Sequence, residues 1–203
     1  RYNGTTTTAP PEAIFAEIQF GRYSWGGITV DDVSLTGPYN IAVTDVKPSK
    51  TVAAQGYTLF INVTAKNKGN YNGAFKATAY ANETSITSQR VTLESGASTT
   101  ITFTWNTTGF AKGNYTIKAI ADTVPGETDT TDNTYTNGWV LVTIPGDVNG
   151  DRVCDMKDIV QLILHFGCKI GKPCYVANCD INCDGVIDMK DIVTAILHFS
   201  QKW

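Results

Sequence analysis

The sequence predicts a mainly β chain that ends in a small α-helical module. Two observations carry this prediction. Residues 38–145 contain short alternating apolar runs separated by turn residues, and residues 147–199 contain one unit that occurs twice. A chain of 203 residues is long enough for about one to three compact domains.

Alternation with a period of two is the evidence for the strands. Between Tyr57 and Lys66, apolar side chains occupy every second position, with Thr or Asn between them, which is typical of a half-buried strand. Turn-forming residues separate such runs. Strands are predicted at 39–47, 57–66, 73–82, 86–93, 99–105, 114–122 and 138–144. This number and spacing predict a seven-stranded, immunoglobulin-like β-sandwich with Trp105 in its core, while Trp139 could face either way.

Three segments follow from these patterns: 1–37, 38–145 and 146–203. The first begins at Arg1 without a charged and then apolar leader, so we expect a mature or excised product. It contains a Thr/Pro linker and two strand-like runs, 13–20 and 28–35. These runs are either the remnant of a larger jelly-roll domain or strands that pair with another chain.

The duplicated unit occupies residues 147–166 and 180–199, with 14 of 20 positions identical. In each copy, oxygen-bearing side chains fall at positions 1, 3, 5, 9 and 12 of a loop, and position 7 offers its main-chain carbonyl. Calcium takes about six to eight hard oxygen ligands in loops of this spacing, so two Ca²⁺ ions are predicted. The predicted ligands are Asp147, Asn149, Asp151, Val153, Asp155 and Asp158, then Asp180, Asn182, Asp184, Val186, Asp188 and Asp191.

Position 6 of each loop requires a sharp turn that favours glycine. The second loop has Gly185 there, whereas the first has Arg152. Because a positive φ at Arg152 costs about 1 kcal/mol or more, we expect the first loop to bind calcium more weakly or to follow a different path.

All five cysteines lie in the last third of the chain, at spacings that do not match paired zinc knuckles. Disulfides in an oxidising compartment are therefore favoured over zinc. Cys154 aligns with the apolar Ile187 of the second copy, which predicts a buried, unpaired thiol. The favoured pairs are Cys168 with Cys174 and Cys179 with Cys183, although crossed pairings fit the spacing equally well.

Two family resemblances support these interpretations. The middle segment resembles the CARDB family of prokaryotic cell-surface sandwich domains, in residues 40–45, 63–69 and 127–133. The duplicated unit resembles a type I dockerin. Each loop is followed by a helix but is not preceded by one, and position 12 is Asp.

The dockerin resemblance implies a protein partner, either a cohesin-like domain or another copy of the chain. The implied contact residues are Met156, Lys157, Leu164, Met189, Lys190 and Leu197. Ile163 and Ile196 also fall at implied contact positions, but the apolar stripe of each predicted helix favours a core position for both. Because both copies carry the same contact residues, a partner could dock in two orientations.

The predicted function is non-catalytic: a secreted or cell-surface, calcium-binding protein of assembly or adhesion. Two alternatives stay open, namely a self-polymerising subunit of a filament or surface layer and the tail of a secreted polysaccharide- or protein-degrading enzyme. Sequons at Asn3, Asn62, Asn82, Asn106 and Asn114 favour a glycosylated surface protein. Together with the resemblance to CARDB, they favour an archaeal or bacterial cell surface.

Other functional classes receive no support from the sequence. His165 and His198, the only histidines, occupy equivalent repeat positions and form no catalytic set with Ser or Asp. A net charge of −3 without a basic face speaks against a nucleic-acid partner. No run of eighteen apolar residues predicts a membrane span.

Overall fold

The computed structural model describes residues 38–203, which belong to one compact unit, Thr36–Trp203. The expectation of jelly-roll or donated strands concerns residues 1–37 and lies outside the described residues. Eight strands come first: β1 (Ile41–Pro48), β2 (Val52–Ala54), β3 (Thr58–Asn67), β4 (Gly73–Ala81), β5 (Thr84–Leu93), β6 (Ser98–Asn106), β7 (Gly113–Ala121) and β8 (Thr134–Thr143). The helices α1 (Met156–Leu164) and α2 (Met189–Leu197) follow, with a 3₁₀ turn at Ala177–Cys179 between them.

The strands form the predicted two-sheet sandwich. One sheet has the order β1-β3-β6 and the other the order β2-β8-β7-β4-β5. Neighbouring strands are antiparallel except β2, which runs parallel to β8. The predicted count of seven strands is wrong, because β2 adds an eighth. Its three residues are all buried, so they offer no alternation by which a sequence could reveal them.

The sandwich core lies between the inner faces of the two sheets. The inward residues of β3, Leu59, Ile61, Val63 and Ala65, are fully buried, as their alternation predicts. Trp105 is also in this core, and its ring packs edge-on against Phe110 and Tyr115 at centroid distances of 5.2 and 5.6 Å. Trp139, whose direction the sequence leaves open, is exposed.

A second apolar cluster stabilises the C-terminal loop–helix module. Its buried members from the module include Cys154, Leu162, Cys179, Ile187, Ile192 and Ala195. Ala54 of β2 and Ile144, which follows β8, belong to the same cluster. The module is therefore packed against one edge of the sandwich through shared apolar contacts.

The exposed faces of the two helices correct one prediction. Ile163 and Ile196 are 57% and 54% exposed, so their predicted core position is wrong. Each helix is only nine residues long, and α1 buries just Asp158 and Leu162. Only part of the apolar stripe on each helix is therefore covered by the rest of the module, and the remainder is exposed to solvent.

The cysteines form one disulfide, Cys168–Cys174, with a Cα–Cα distance of 5.7 Å. Cys154 is a buried free thiol, as its alignment with Ile187 predicts. The second favoured pair is absent, because Cys179 and Cys183 are both free. The physical reason is their placement: Cys179 packs inside the module, whereas Cys183 packs against the sandwich core.

Candidate metal centre

Hydrogen bonds from the main chain to its own side chains stabilise the tight turns of the first loop, residues 147–158. Asp147 accepts hydrogen bonds from the main-chain N–H of Gly150 at 2.7 Å and of Arg152 at 2.9 Å. Asn149 Oδ1 accepts from Asp151 N at 2.8 Å, and Asp151 Oδ1 accepts from Val153 N at 3.1 Å. These short-range bonds turn the side chains at positions 1, 3 and 5 toward the inside of the loop.

Asp158 closes the first loop from the start of α1. One of its carboxylate oxygens accepts from Val148 N and Asn149 N, and the other accepts from Asp155 N. Asp155 in turn caps α1 by accepting from Lys157 N at 2.8 Å. The residues at positions 9 and 12 thus anchor the loop to the first turn of the helix that follows it.

The second loop repeats this network on the equivalent residues. Asp191, at position 12, accepts from Ile181 N, Asn182 N and Asp188 N. Asp188 caps α2 as Asp155 caps α1. Because two loops with only partly identical sequences reach the same hydrogen-bond pattern, the pattern is a property of the shared Asp and Asn positions.

Both loops use positive φ at positions 4 and 6, and each places a glycine at only one of them. In the first loop these residues are Gly150 (φ 79°) and Arg152 (φ 72°). In the second they are Cys183 (φ 56°) and Gly185 (φ 87°). The first loop therefore does not follow a different path: Arg152 adopts the left-handed conformation, and its guanidinium lies 5.0 Å from the ring centroid of Trp203.

Charge is concentrated at the closing carboxylates. Asp158 and Asp191 are fully buried. Burial raises the pKa of both carboxyl groups above the ordinary value, although hydrogen bonds from main-chain N–H groups act in the opposite direction. A buried carboxylate is costly unless hydrogen bonds or a cation compensate it, and in each loop three main-chain N–H groups donate to this one.

Two lysines partly neutralise the outer carboxylates. Lys157 Nζ lies 3.1 Å from Asp151 Oδ2 and 3.8 Å from Asp155 Oδ2. Lys190 Nζ lies 2.7 Å from Asp184 Oδ2 and 3.7 Å from Asp188 Oδ2. The hydrogen bond from Lys190 lowers the pKa of the Asp184 carboxyl. The ammonium groups are exposed, so solvent screening keeps these pairs weak.

The donor set fits a hard divalent cation better than a soft one, because it consists of carboxylate, amide and carbonyl oxygens. Within residues 38–203, no three His, Cys, Asp or Glu side chains stand close enough to hold an ion as they are placed. Their oxygens are bonded to main-chain N–H groups and lysine ammonium groups instead. Amide and main-chain oxygens are therefore needed to complete a coordination shell in either loop.

The sandwich also contacts both loops, through residues that the sequence did not single out. Thr143 Oγ1 of β8 donates to Asp147 Oδ2 at 2.6 Å. Within the module itself, Tyr175 Oη donates to the equivalent Asp180 Oδ2 at 2.7 Å. Lys50, between β1 and β2, donates to main-chain carbonyls at the start of the second loop. No periodicity or motif marks these residues, and the Lys50 contact joins segments that are 130 residues apart.

An exposed apolar surface lies on the two helices. Four of the predicted contact residues, Met156, Leu164, Met189 and Leu197, are 59–72% exposed. Lys157 and Lys190 are exposed beside them. We call these six residues the helix surface. The two histidines are not among these residues. Nδ1 of His165 lies within hydrogen-bonding distance of the main-chain oxygen of Cys174, and Nδ1 of His198 of that of Thr194.

The fold and the loops together define a β-sandwich protein with a duplicated, aspartate-rich loop–helix module at its C-terminal end. Comparison with family models then identifies both parts. Residues 40–137 match CARDB, and residues 145–198 match the dockerin type I domain. The chain thus carries a CARDB domain followed by a type I dockerin domain.

Solved structures resemble the sandwich part of the chain. A CARDB domain from Pyrococcus furiosus, crystallised in complex with di-metal ions, is 27% identical, covering 56% of this chain and 99% of that one, with a TM-score of 0.45. A domain from Methanosarcina acetivorans solved in solution is 25% identical, covering 51% and 91%, with a TM-score of 0.42. A β-glucosidase from Erythrobacter marinus is 14% identical, covering 51% and 15%, also with a TM-score of 0.42. No curated protein is detectably similar to the chain.

The two families set the general character of the protein. A type I dockerin is a calcium-binding domain that attaches to a protein partner, cohesin, and CARDB is a surface domain. Neither domain is catalytic. Among the described residues, no helix has the length and apolar character needed to cross a membrane.

Proposed function

We propose that this chain is a non-catalytic, extracellular attachment protein whose C-terminal module binds two Ca²⁺ ions and grips a protein partner through the helix surface. The observation that carries the proposal is the duplication of both features. In each loop the Asp at position 12 accepts from the main-chain N–H groups at positions 2, 3 and 9, and each helix exposes the same Met, Lys and Leu.

The proposed calcium ligands are the twelve loop residues named above. When bound, calcium supplies the positive charge that the buried Asp158 and Asp191 lack. The chain itself supplies the curvature, because Asx-type bonds and the two positive-φ positions already turn the oxygens inward. Neutralising the loops also fixes the first turns of α1 and α2, which carry the helix surface.

The helix surface has the composition of a protein-binding site. Leu164 and Leu197 are 71% and 72% exposed, and exposed apolar side chains grouped on one element mark interaction sites. Met side chains adapt to differently shaped partners. The flanking lysines place positive charge at the border of the apolar area, where a partner carboxylate would meet them in solvent.

Calcium uptake is the first test. Titration calorimetry of the calcium-free chain should register ions in both loops, and far-ultraviolet circular dichroism should show helix gained on addition of Ca²⁺. The double variant Asp158→Asn with Asp191→Asn should lose this response. Asp45→Asn, which removes a carboxylate from β1 of the sandwich, is the matched control and should keep it. A chain that stays equally helical in EDTA would contradict the proposal.

Partner binding is the second test, with a purified cohesin domain as the probe. Binding should require Ca²⁺ and should survive Leu164→Asp or Leu197→Asp alone, since each leaves one intact copy of the surface. The double variant should reduce affinity by about 100-fold or more, as expected for removal of a buried apolar anchor. Trp139→Ser, an exposed aromatic of the sandwich, should change nothing. Calcium-dependent polymers of the chain alone, seen by size exclusion, would favour a filament or surface-layer subunit instead.

Glycosylation is proposed at four sequons within the described residues. Asn82, Asn106 and Asn114 are exposed and Asn62 is half-buried, so the first three are the more accessible acceptors. Asn3 lies outside the described residues. Glycan at these sites would support an extracellular location, and mass spectrometry of the chain purified from its source checks this.

A further inference from the structure

A cluster of polar side chains lies at the connection between β7 and β8, and several of its members are partly buried. Glu127 is at its centre: Oε1 accepts from Ile41 N at 2.5 Å, and Oε2 accepts from Val124 N at 2.9 Å and from Asn133 Nδ2 at 3.1 Å. Glu127 also pairs with Tyr39 through a parallel bridge. This one carboxylate therefore brings Asn133 and the residues on both sides of Asn40 to the same place.

Three buried oxygens of this cluster lack a hydrogen-bond partner. Among the described residues, five buried side-chain polar atoms are without one, and three of these are Asn40 Oδ1, Asp132 Oδ1 and Asn133 Oδ1. Asn40 and Asn133 are only 7% and 4% exposed. A buried acceptor that has lost its water and gained no donor is unfavourable. Each of these three oxygens is therefore available to a donor or to a cation.

The net charge of the cluster also favours a bound cation. Glu127, Asp129 and Asp132 contribute three negative charges, and Lys68, whose Nζ lies 2.8 Å from Asp132 Oδ2, contributes one positive charge. The sum is −2, which a divalent cation would neutralise. Asp129 is exposed and accepts from Thr131 N and Thr131 Oγ1. These hydrogen bonds lower the pKa of its carboxyl, and the side chain of Asn40 acts in the same direction. Asp129 is therefore the solvent-exposed carboxylate of the cluster.

The position of Asn40 is fixed by close backbone packing. Lys68 N and Gly69 N both donate to Asn40 O. A Cβ at Gly69 would lie 2.7 Å from Asn40 N and 2.8 Å from Pro38 O, so the two segments approach as closely as glycine allows. The backbone that carries the Asn40 side chain is thus held in place, which lowers the entropic cost of binding an ion.

We propose that this cluster is a third cation site, separate from the two loops, in which Asn40, Asp132 and Asn133 offer side-chain oxygens to Ca²⁺ and Asp129 lies at the entrance. The hydrogen bond from Asn133 Nδ2 to Glu127 orients that amide so that its oxygen is left for the ion. Oxygen ligands of mixed amide and carboxylate type are those that calcium takes. A bound water could satisfy the same oxygens by donating to them, but it would leave the charge of −2 uncompensated.

The test counts and locates the ions on the whole chain, with Ca²⁺ as the probe. Calorimetry should give three ions for the unaltered chain and two for Asp132→Asn, which keeps the side-chain size but removes one charge. Asp122→Asn, in the same connection but paired with Lys76 at 3.5 Å, is the matched control and should keep three. If the variant retains weak binding, its affinity at the third site should fall by about tenfold or more.

Amide NMR shifts distinguish this site from the loops. Ca²⁺ should move the amide signals of Ile41, Val124 and Asn133 in the unaltered chain and leave them unmoved in Asp132→Asn. If only the two loops fail to bind Ca²⁺, the shifts at residues 147–158 and 180–191 will be absent and those in the sandwich will remain. Unmoved sandwich signals at millimolar Ca²⁺, with at most two ions bound, would overturn the proposal and assign the cluster to water.

Discussion

Lys50 Nζ donates to the main-chain oxygen of Asp180 at 2.5 Å and to that of Ile181 at 3.2 Å. The lysine belongs to the sandwich, whereas the carbonyls open the second loop of the dockerin module. Lys50 is only 5% exposed. Beside it, Asn178 Oδ1 accepts from Thr51 N and Val52 N. The segment between β1 and β2 therefore fixes the beginning of the second loop from outside the module.

Replacing Lys50 should lower both the stability of the chain and the calcium affinity of the second loop. Lys50→Met keeps the length of the side chain but leaves two buried carbonyls without a donor, at a cost of about 1–3 kcal/mol of unfolding free energy. Calcium affinity of the second loop should fall more than that of the first. Denaturant unfolding and calorimetry check the two effects. Lys47→Met, at an exposed position of β1, is the control, and an equal cost for both variants would refute the role of Lys50.

The two loops should respond in opposite ways to changes at position 6. Arg152→Gly relieves a left-handed conformation that costs about 1–2 kcal/mol, although it removes a cation–π contact with Trp203 of about 0.5–1 kcal/mol. We expect a small gain in calcium affinity at the first loop. Gly185→Ala imposes the same strain on the second loop and should lower its affinity. Calorimetry resolves the two sites, and equal effects of both changes would contradict this explanation.

Gly146 should be intolerant of any side chain. It has φ 98°, and a Cβ there would lie 2.6 Å from Ala195 Cα and 2.7 Å from Cys154 Sγ. Gly146→Ala therefore combines backbone strain with overpacking and should cost about 2–5 kcal/mol in unfolding free energy. Gly167→Ala has a similar φ of 79° and no neighbour within 4 Å of the added carbon. It should cost only about 1 kcal/mol, and thermal unfolding compares the two.

The free thiols should report on the fold of the module. Burial raises the pKa of Cys154 and of Cys179 to about 11 from an ordinary 9.0. At pH 8 the thiolate fraction of each is then about one in a thousand, compared with about one in ten for an ordinary thiol. Both should resist a thiol reagent in Ca²⁺ and react quickly after chelation opens the module. Rapid reaction in saturating Ca²⁺ would contradict the buried placement.

The sequence predicted features that depend on local periodicity. Leu59, Ile61, Val63 and Ala65 alternate along one strand, and their burial follows from that strand alone. The loop residues likewise form their hydrogen bonds within a dozen positions, so spacing was enough to group them. Whether they ligate calcium stays a prediction that only the metal can test.

Features that depend on distant contacts were not predictable in this way. The β2 residues are recognised as a strand only through their pairing with β8. Ile163 has the same apolar character as Leu162 beside it, and only the packing of the module decides that one is exposed and the other buried. Cys183 lies four positions from Cys179, yet contact with the sandwich directs the two thiols into different apolar clusters.

The attachment of the sandwich distinguishes the two copies of the helix surface. Tyr57 Oη lies 3.5 Å from Thr194 Oγ1 on α2, whereas the equivalent residue of α1, Gln161, has no such neighbour from the sandwich among its hydrogen bonds. A partner that docked with its two ends exchanged would meet the same side chains. In the reversed orientation, however, the sandwich would lie beside the other end of the partner. Steric crowding, rather than chemistry, would then select which of the two poses an assembly adopts.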